Sequence, residues 1–100
     1  MRYLSWNCRG IRNSRTVQEL RKLVKQEDPD LIFLMETKVE TKQIDWLKMG
    51  LGMYGCAVDC VGLSGGLALL WKKDRDVTIQ SLSRSHIDAT VKAGDAGPKW

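Results

Sequence analysis

The stretch DPDLIFLMETK, residues 28–38, decides the fold, because its apolar run ends abruptly in a carboxylate and a cation. Residues 31–36 are apolar up to Glu36, which is typical of a β-strand buried on both faces. Pro29 biases Asp28 away from helical backbone angles, so a preceding helix must end here. A buried strand that ends in Glu36 predicts that something at the sheet edge receives the negative charge.

Upstream of this stretch, the pattern predicts a strand and then a helix. Residues 2–8 alternate as a half-buried strand that ends at Gly10. Its two sides are Tyr3, Ser5 and Asn7, and Leu4, Trp6 and Cys8. Residues 14–27 carry apolar side chains at helical spacing, namely Val17, Leu20, Leu23 and Val24. Asn13 or Ser14 can cap this helix, and Thr16 with Glu19 forms a capping-box variant.

Downstream, residues 40–49 predict a shorter amphipathic helix with Ile44 and Leu47 inward, ended by Gly50 and Gly52. Four strands follow, at 53–61, 65–71, 76–83 and 86–92, and then a turn at 93–98. The order β-α-β-α-β-β-β-β favours an α+β fold, with the helices on one face of a five- or six-stranded sheet. The strands at 31–36 and 65–71 are apolar on both faces, so we expect one sheet face to lack a cover within this chain.

Length and composition bound the class of protein. One hundred residues suit a single small domain, and 43% hydrophobic residues argue against wholesale disorder. The net charge of +4 permits binding to a polyanion without demonstrating it. Cys8, Cys56 and Cys60 lack zinc-site spacing, which favours free thiols. No signal peptide or membrane span appears, so we expect an intracellular protein of the nucleus or cytoplasm.

Four side chains are expected to meet at one sheet edge. Asn7 and Glu36 end strands that one helix connects, so a right-handed crossover places both ends together. Carboxylate and amide oxygens suit Mg²⁺. Arg9 and Lys38 would bring positive charge for a phosphate. Alternatively, Asn7 caps a turn and Glu36 is a solvated strand end.

Three motifs resemble one enzyme family, the endonuclease/exonuclease/phosphatase (DNase I-like) family. They are SWNCRGIRN at 5–13, PDLIFLMETK at 29–38 and GLSGGLALLWK at 62–72. With HIDA at 86–89, the series is most similar to plant non-LTR (LINE-type) retrotransposon endonucleases. The resemblance implies a four-layer α-β-β-α sandwich of two packed sheets, of which this chain is the N-terminal half. It also implies Mg²⁺-dependent (Mn²⁺ possible) hydrolysis of phosphate esters.

The resemblance implies roles for the four edge residues. Asn7 matches the catalytic Asn beside metal and phosphate, and Glu36 matches the metal-binding Glu. Arg9 is expected to contact phosphate, and Lys38 the nucleic-acid backbone. The family's catalytic Tyr, Asp-x-Asn pair, late Asp and catalytic His have no match in this chain. His86 is not that His.

The remaining polar and aromatic residues have plainer expectations. His86 and Asp88 are expected to be structural or solvent-facing, and Asp45 and Asp59 to be surface residues. Ser64-Gly65-Gly66 precedes a strand rather than a helix, so a tight turn is expected instead of a phosphate loop. The expectations for the tryptophans are core positions for Trp6 and Trp71, either core or stacking for Trp46, and the start of a strand for Trp100.

Together these features predict a fragment of a Mg²⁺-dependent phosphodiesterase domain that acts on nucleic acid, with DNA favoured. Without the second-half residues, the chain alone is expected to be inactive. A non-catalytic nucleic-acid-binding module and an inert retrotransposon remnant are the alternatives. An uncovered apolar sheet face would lead to self-association or to pairing with a missing C-terminal half.

Overall fold

A computed structural model describes residues 2–62 and 64–92, which form two helices and six strands. The predicted order β-α-β-α-β-β-β-β is confirmed. The elements are β1 (Tyr3–Asn7), α1 (Ser14–Glu27), β2 (Leu31–Met35), α2 (Thr41–Leu51), β3 (Met53–Val58), β4 (Leu67–Lys72), β5 (Asp76–Leu82) and β6 (Ile87–Lys92). The predicted turn at 93–98 and Trp100 lie outside the described residues.

Four strands form the main sheet, in the spatial order β1-β2-β4-β3. β1 and β2 are parallel neighbours, with Asn7 paired to Met35. β4 pairs antiparallel with both β2 and β3. The predicted parallel arrangement of these two strands is therefore confirmed, and it brings the carboxyl ends of β1 and β2 to the same edge.

The expectation of a single five- or six-stranded sheet was wrong. β5 and β6 pair only with each other among the described strands, as a two-stranded antiparallel hairpin. This hairpin packs on the main sheet, where Ala89 and Val91 join Leu31 and Leu69 in a buried cluster. The expectation that nothing in this chain covers that face was wrong for β4 and for part of β2, which the hairpin covers. Each hairpin strand alternates, so it has one apolar face to bury.

The helices cover the opposite face of the main sheet. Leu20 of α1 and Ile44 of α2 are buried against Ile32, Leu34 and Leu70. β2 and β4 are thus buried on both faces, as their apolar runs predict. The core positions predicted for Trp6 and Trp71 are confirmed, because each is partly buried against one of the two apolar clusters.

The helix ends differ in detail from prediction. Asn13 caps α1 by accepting the backbone N–H of Arg15 at 2.9 Å, so the Thr16–Glu19 pair is not the cap. α2 continues through Gly50 to Leu51 and ends at Gly52, whose left-handed backbone (φ 65°) terminates the helix. Gly50 therefore does not end α2, because the hydrogen-bonded turn continues past it.

Strand β3 ends at Val58 rather than at the predicted residue 61. Asp59 turns away from the ladder, and its carboxylate accepts the backbone N–H of Thr41 at 2.6 Å and the Thr41 hydroxyl. The hydroxyl bond is the main cause that lowers the pKa of Asp59. Asp59 is exposed, as expected, but it also holds the first turn of α2.

An apolar surface beside the hairpin is not covered by the other described elements. This hairpin groove has a volume of about 330 Å³ and lies over β1 and β2, next to β6. Its lining includes Tyr3, Phe33 and Ile87. The hairpin thus covers β4 and part of β2, and the surface near β1 stays apolar. Among the described residues, neither helix is long and apolar enough to cross a membrane.

Candidate functional site

The candidate site is the edge where β1 and β2 end, and it comprises Asn7, Arg9, Glu36 and Lys38. Asn7 is the last residue of β1 and is exposed. Its side-chain oxygen accepts the backbone N–H of Arg9 at 3.2 Å. Asn7 does therefore cap a turn, which was one alternative for it. The amide oxygen keeps a second lone pair and the amide keeps both N–H groups, so a ligand can still bind there.

The segment from Glu36 to Val39 is fixed by backbone hydrogen bonds on both sides. On the β1 side, the carbonyl oxygens of Glu36 and Thr37 accept the N–H groups of Gly10 (2.8 Å) and Ile11 (2.9 Å). On the β4 side, the N–H groups of Thr37 and Lys38 donate to the carbonyls of Gly66 (3.1 Å) and Gly65 (2.8 Å). This double attachment holds the Glu36 and Lys38 backbone in place.

Gly66 can approach Thr37 closely because glycine has no side chain. A Cβ at Gly66 would overlap the Thr37 hydroxyl oxygen and lie 3.1 Å from the Lys38 nitrogen. Thr37 is fully buried, and its hydroxyl is the one buried side-chain oxygen or nitrogen without a partner among the described residues. The Ser64-Gly65-Gly66 turn thus supports the site, a role that the sequence prediction missed.

Three of the four candidate residues have a left-handed backbone. The φ angles are 49° for Arg9, 52° for Glu36 and 56° for Lys38. Such angles cost about 1–2 kcal/mol for a residue with a side chain. Asp28, at the C-terminal end of α1, is the other described non-glycine residue of this kind. Strained residues of this type often cluster at functional sites. All three of these residues carry a charged side chain, whereas Thr37, between Glu36 and Lys38, is fully buried.

The charges of the site are unpaired within the described part of the chain. Glu36 and Arg9 are exposed, Lys38 is half-buried, and none of the three forms an ion pair with residues 2–62 or 64–92. Cys8 lies beneath them, and its thiol donates to the Met35 carbonyl at 3.1 Å. Burial is the main cause that raises the pKa of the Cys8 thiol.

The residues present fit part of a divalent-cation site. Glu36 offers a free carboxylate and Asn7 an amide oxygen, both hard oxygen donors. Within the described ranges, no cluster of three or more His, Cys, Asp or Glu side chains could hold a metal ion. Mg²⁺ often takes only one or two carboxylates and completes its shell with water and substrate phosphate. The donors are therefore compatible with Mg²⁺ while leaving most of its shell to other ligands.

His86 is engaged elsewhere, as expected. It lies in the exposed turn between β5 and β6, where its two ring nitrogens contact the Ser83 hydroxyl and, at 3.1 Å, the Ser81 hydroxyl. Trp46 is 82% exposed on α2, which rules out the core position that was one of its two alternatives.

Comparison with known proteins assigns the chain to a family. Residues 4–98 match the endonuclease/exonuclease/phosphatase family. The chain belongs to this family. Over 45 residues it is 38% identical to an exodeoxyribonuclease of Bacillus subtilis (strain 168), which is 45% of this chain and 18% of that protein. The endonuclease/exonuclease/phosphatase match includes all four candidate residues.

The fold is also that of a solved member of the DNase I-like class. The structure of the 3′ phosphatase NExo from Neisseria, bound to a product DNA hairpin, superimposes with a TM-score of 0.67 at 20% identity. The superposition covers 91% of this chain and 37% of NExo. The predicted DNase I-like fold is confirmed, and the chain spans well under half the length of both relatives.

Proposed function

We propose that this chain is the metal- and phosphate-binding part of a phosphodiesterase domain that acts on nucleic acid, with DNA as the favoured substrate. The observation that carries the proposal is the exposed, unpaired carboxylate of Glu36, held by a strained and doubly anchored backbone beside Asn7. A solvated strand end would need neither the strain nor the anchoring. Both relatives named above support the substrate class, since one is an exodeoxyribonuclease and the other is bound to DNA.

In this proposal, Glu36 and Asn7 hold a divalent cation, Mg²⁺ or Mn²⁺. When bound, such a cation supplies positive charge that stabilises a reacting phosphate oxygen. Arg9 and Lys38 bind and orient the phosphate through charge-assisted hydrogen bonds. Hydrogen bonds on both sides fix the Lys38 backbone, so the point from which its side chain extends is set before a ligand arrives.

Calorimetric titration with Mg²⁺ tests the role of Glu36. We expect the 100-residue chain to bind Mg²⁺ weakly and Glu36→Ala to lose that binding. Glu19→Ala is the matched control, because Glu19 is also exposed, lies on α1 and has no role in the candidate site. Equal Mg²⁺ binding by all three proteins would refute the assignment of Glu36.

We further propose that these 100 residues alone do not catalyse hydrolysis. The one histidine of the sequence, His86, is held by two serine hydroxyls at the hairpin turn, and no other residue offers an imidazole base. General acid–base help is worth about 10²–10⁴-fold in rate. Incubation of the purified chain with plasmid DNA and Mg²⁺ should give no nicking above background. Nicking that disappears in Glu36→Ala would overturn the inactivity.

A nucleic-acid-binding module without chemistry is the second candidate function. It is favoured by the unpaired cations Arg9 and Lys38 at the edge. Phosphate contacts release counterions, so DNA affinity should fall steeply as salt rises. An affinity that hardly changes with salt would argue against both candidate functions.

The assignment to plant LINE-type retrotransposons belongs to the proposal as well, and the motif series in the sequence supports it. An intracellular location is likewise part of the proposal. The hairpin groove suggests how this partial domain is completed. We expect either a further part of the domain or a second copy of the chain to cover it, because contiguous apolar surface favours association. Sedimentation velocity over a range of concentrations distinguishes the cases. A strict monomer at all concentrations would exclude self-association.

A further inference from the structure

A second groove, here called the helix groove, opens between α1 and α2. Its volume is about 730 Å³. Its charged lining residues are all cationic: Arg12, Arg21 and Lys42. Val17 and Leu47 contribute to an apolar floor. An apolar floor with a purely cationic rim is complementary to a ligand that is anionic and also has an apolar surface.

Trp46 gives the helix groove a flat aromatic wall. It lines the groove and is 82% exposed, although tryptophan is among the most costly side chains to leave in water. Among the described residues it has no hydrogen bond or ring contact. The indole face is therefore available to a planar ligand.

Arg21 reaches across the helix groove from α1 to α2. Its guanidinium lies against Gly50, where an added Cβ would be 2.9 Å from Nη2. Glycine is unfavourable inside a helix, yet α2 continues through Gly50. Arg21 has no ion-pair partner in the described ranges. A free guanidinium and a small residue that makes room for it thus coincide at the groove.

We propose that the helix groove binds single-stranded nucleic acid, with a base stacked on Trp46 and phosphates held by Arg12, Arg21 and Lys42. Stacking platforms flanked by cations are the general means of binding single strands. Lys42 lies 3.7 Å from Glu40, but both side chains are largely exposed, so this pair competes weakly with a phosphate.

The position of the groove in the fold favours nucleic acid over other anions. Ile11 and Val39 line it, and each follows directly on a segment of the candidate site, after Gly10 and Lys38. A strand whose phosphate sits at that edge can continue between the two helices. This part of the inference rests on the proposed function, because it takes the edge to be the phosphate site.

Fluorescence anisotropy of a labelled oligothymidylate tests the inference on the full 100-residue chain. We expect Trp46→Ala to weaken binding about tenfold, in line with measured stacking effects. Trp46→Phe keeps an aromatic face and should retain most of the affinity. Arg21→Ala should also weaken binding and should lower the salt dependence by about one unit of slope. Unchanged affinity in Trp46→Ala and Arg21→Ala would overturn the inference.

Met49→Ala is the matched control, because Met49 is also 82% exposed on α2 but does not line the helix groove. Its affinity should equal that of the unmodified chain. Vesicles of phosphatidylserine and phosphatidylcholine form a separate arm. Binding that depends on Trp46 with vesicles but not with the oligonucleotide would mean that the groove fits a membrane surface, and the inference would be wrong.

The two proposals fail in different ways. If Lys38→Ala weakens oligonucleotide binding and Trp46→Ala does not, the edge binds phosphate and the helix groove is not used. If Mg²⁺ binding is insensitive to Glu36→Ala while Trp46→Ala still weakens oligonucleotide binding, the helix groove binds nucleic acid and the assignment of Glu36 to a metal is wrong.

Discussion

The backbone N–H of Thr37 donates to the carbonyl oxygen of Gly66 at 3.1 Å, an approach that leaves no room for a side chain at residue 66. This contact joins the start of β4 to the segment that carries Glu36 and Lys38. The geometry of the candidate site therefore depends on a glycine that has no chemical role of its own.

Substitution of Gly66 should unsettle the site and the fold together. Gly66→Ala places a methyl group on the Thr37 hydroxyl at a φ of 93°, and we expect it to lower the free energy of unfolding by about 3 kcal/mol. Gly65→Ala is the matched control, because Gly65 also has a positive φ (75°) but has open space around it. We expect the control to lose about 1 kcal/mol. Urea denaturation measures both, and equal losses would contradict the close-approach explanation.

Because the backbone at Glu36 is strained, we expect that replacing Glu36 with glycine relieves strain while removing the carboxylate that the site needs. Glu36→Ala removes the carboxylate and keeps the left-handed strain (φ 52°). Glu36→Gly removes both, so it should be more stable than Glu36→Ala by about 0.5–1 kcal/mol. Thermal and urea unfolding of the pair give the difference. If Glu36→Gly were the less stable of the two, residue 36 would not be strained.

The contacts of Asp30 predict that the folded chain loses stability in acid. It is buried, and its carboxylate accepts the Arg2 backbone N–H (2.7 Å) and contacts the Arg75 guanidinium (2.7 Å). The Arg2 bond is the main cause that holds the pKa of Asp30 below its ordinary value. The stabilisation is complete above that ordinary value, about 3.9. It is lost as the pH falls from there through the lower folded value, because only the unfolded carboxyl takes up a proton in that range.

Asp30→Asn should cost about 2 kcal/mol at neutral pH, since hydrogen bonds to a charged group are lost. Its stability should also decline less below pH 4 than that of the unmodified chain. Asp76→Asn, at an exposed strand position, is the control and should follow the unmodified chain. Urea unfolding at a series of pH values measures all three proteins. Parallel acid limbs for Asp30→Asn and the unmodified chain would show that Asp30 is not the group responsible.

Much of the fold follows from the periodicity of the sequence. The bounds of α1 and the parallel pairing of β1 with β2 were predictable, because helical spacing and a single crossover each allow few solutions. The separation of β5 and β6 into their own sheet was not. Alternation shows that a strand has one apolar face but does not say which partner strand it pairs with.

The residues of the candidate site could be predicted from the sequence, but the backbone contacts that hold them could not. Asn7 and Glu36 are visible as polar residues at strand ends. The left-handed backbone of Glu36 and Lys38 has no sequence signal, because neither residue type favours it. The segment is held by hydrogen bonds that the Gly10 N–H donates and that the Gly65 and Gly66 carbonyls accept, and these glycines lie far away in sequence. The consecutive glycines Gly65 and Gly66 were the one sequence signal for these contacts. They predicted a tight turn, but a turn alone does not explain why residue 66 must lack a side chain.

Paramagnetic broadening by Mn²⁺, followed by NMR on the 100-residue chain, tests the central claim most directly. Low concentrations of Mn²⁺ should selectively broaden the Asn7 side-chain amide and the backbone amides of Cys8, Glu36 and Thr37. The effect should disappear in Glu36→Ala and persist in Glu19→Ala. Broadening centred on other carboxylates, such as Asp59, and unchanged by Glu36→Ala would contradict the assignment of this edge as the metal site.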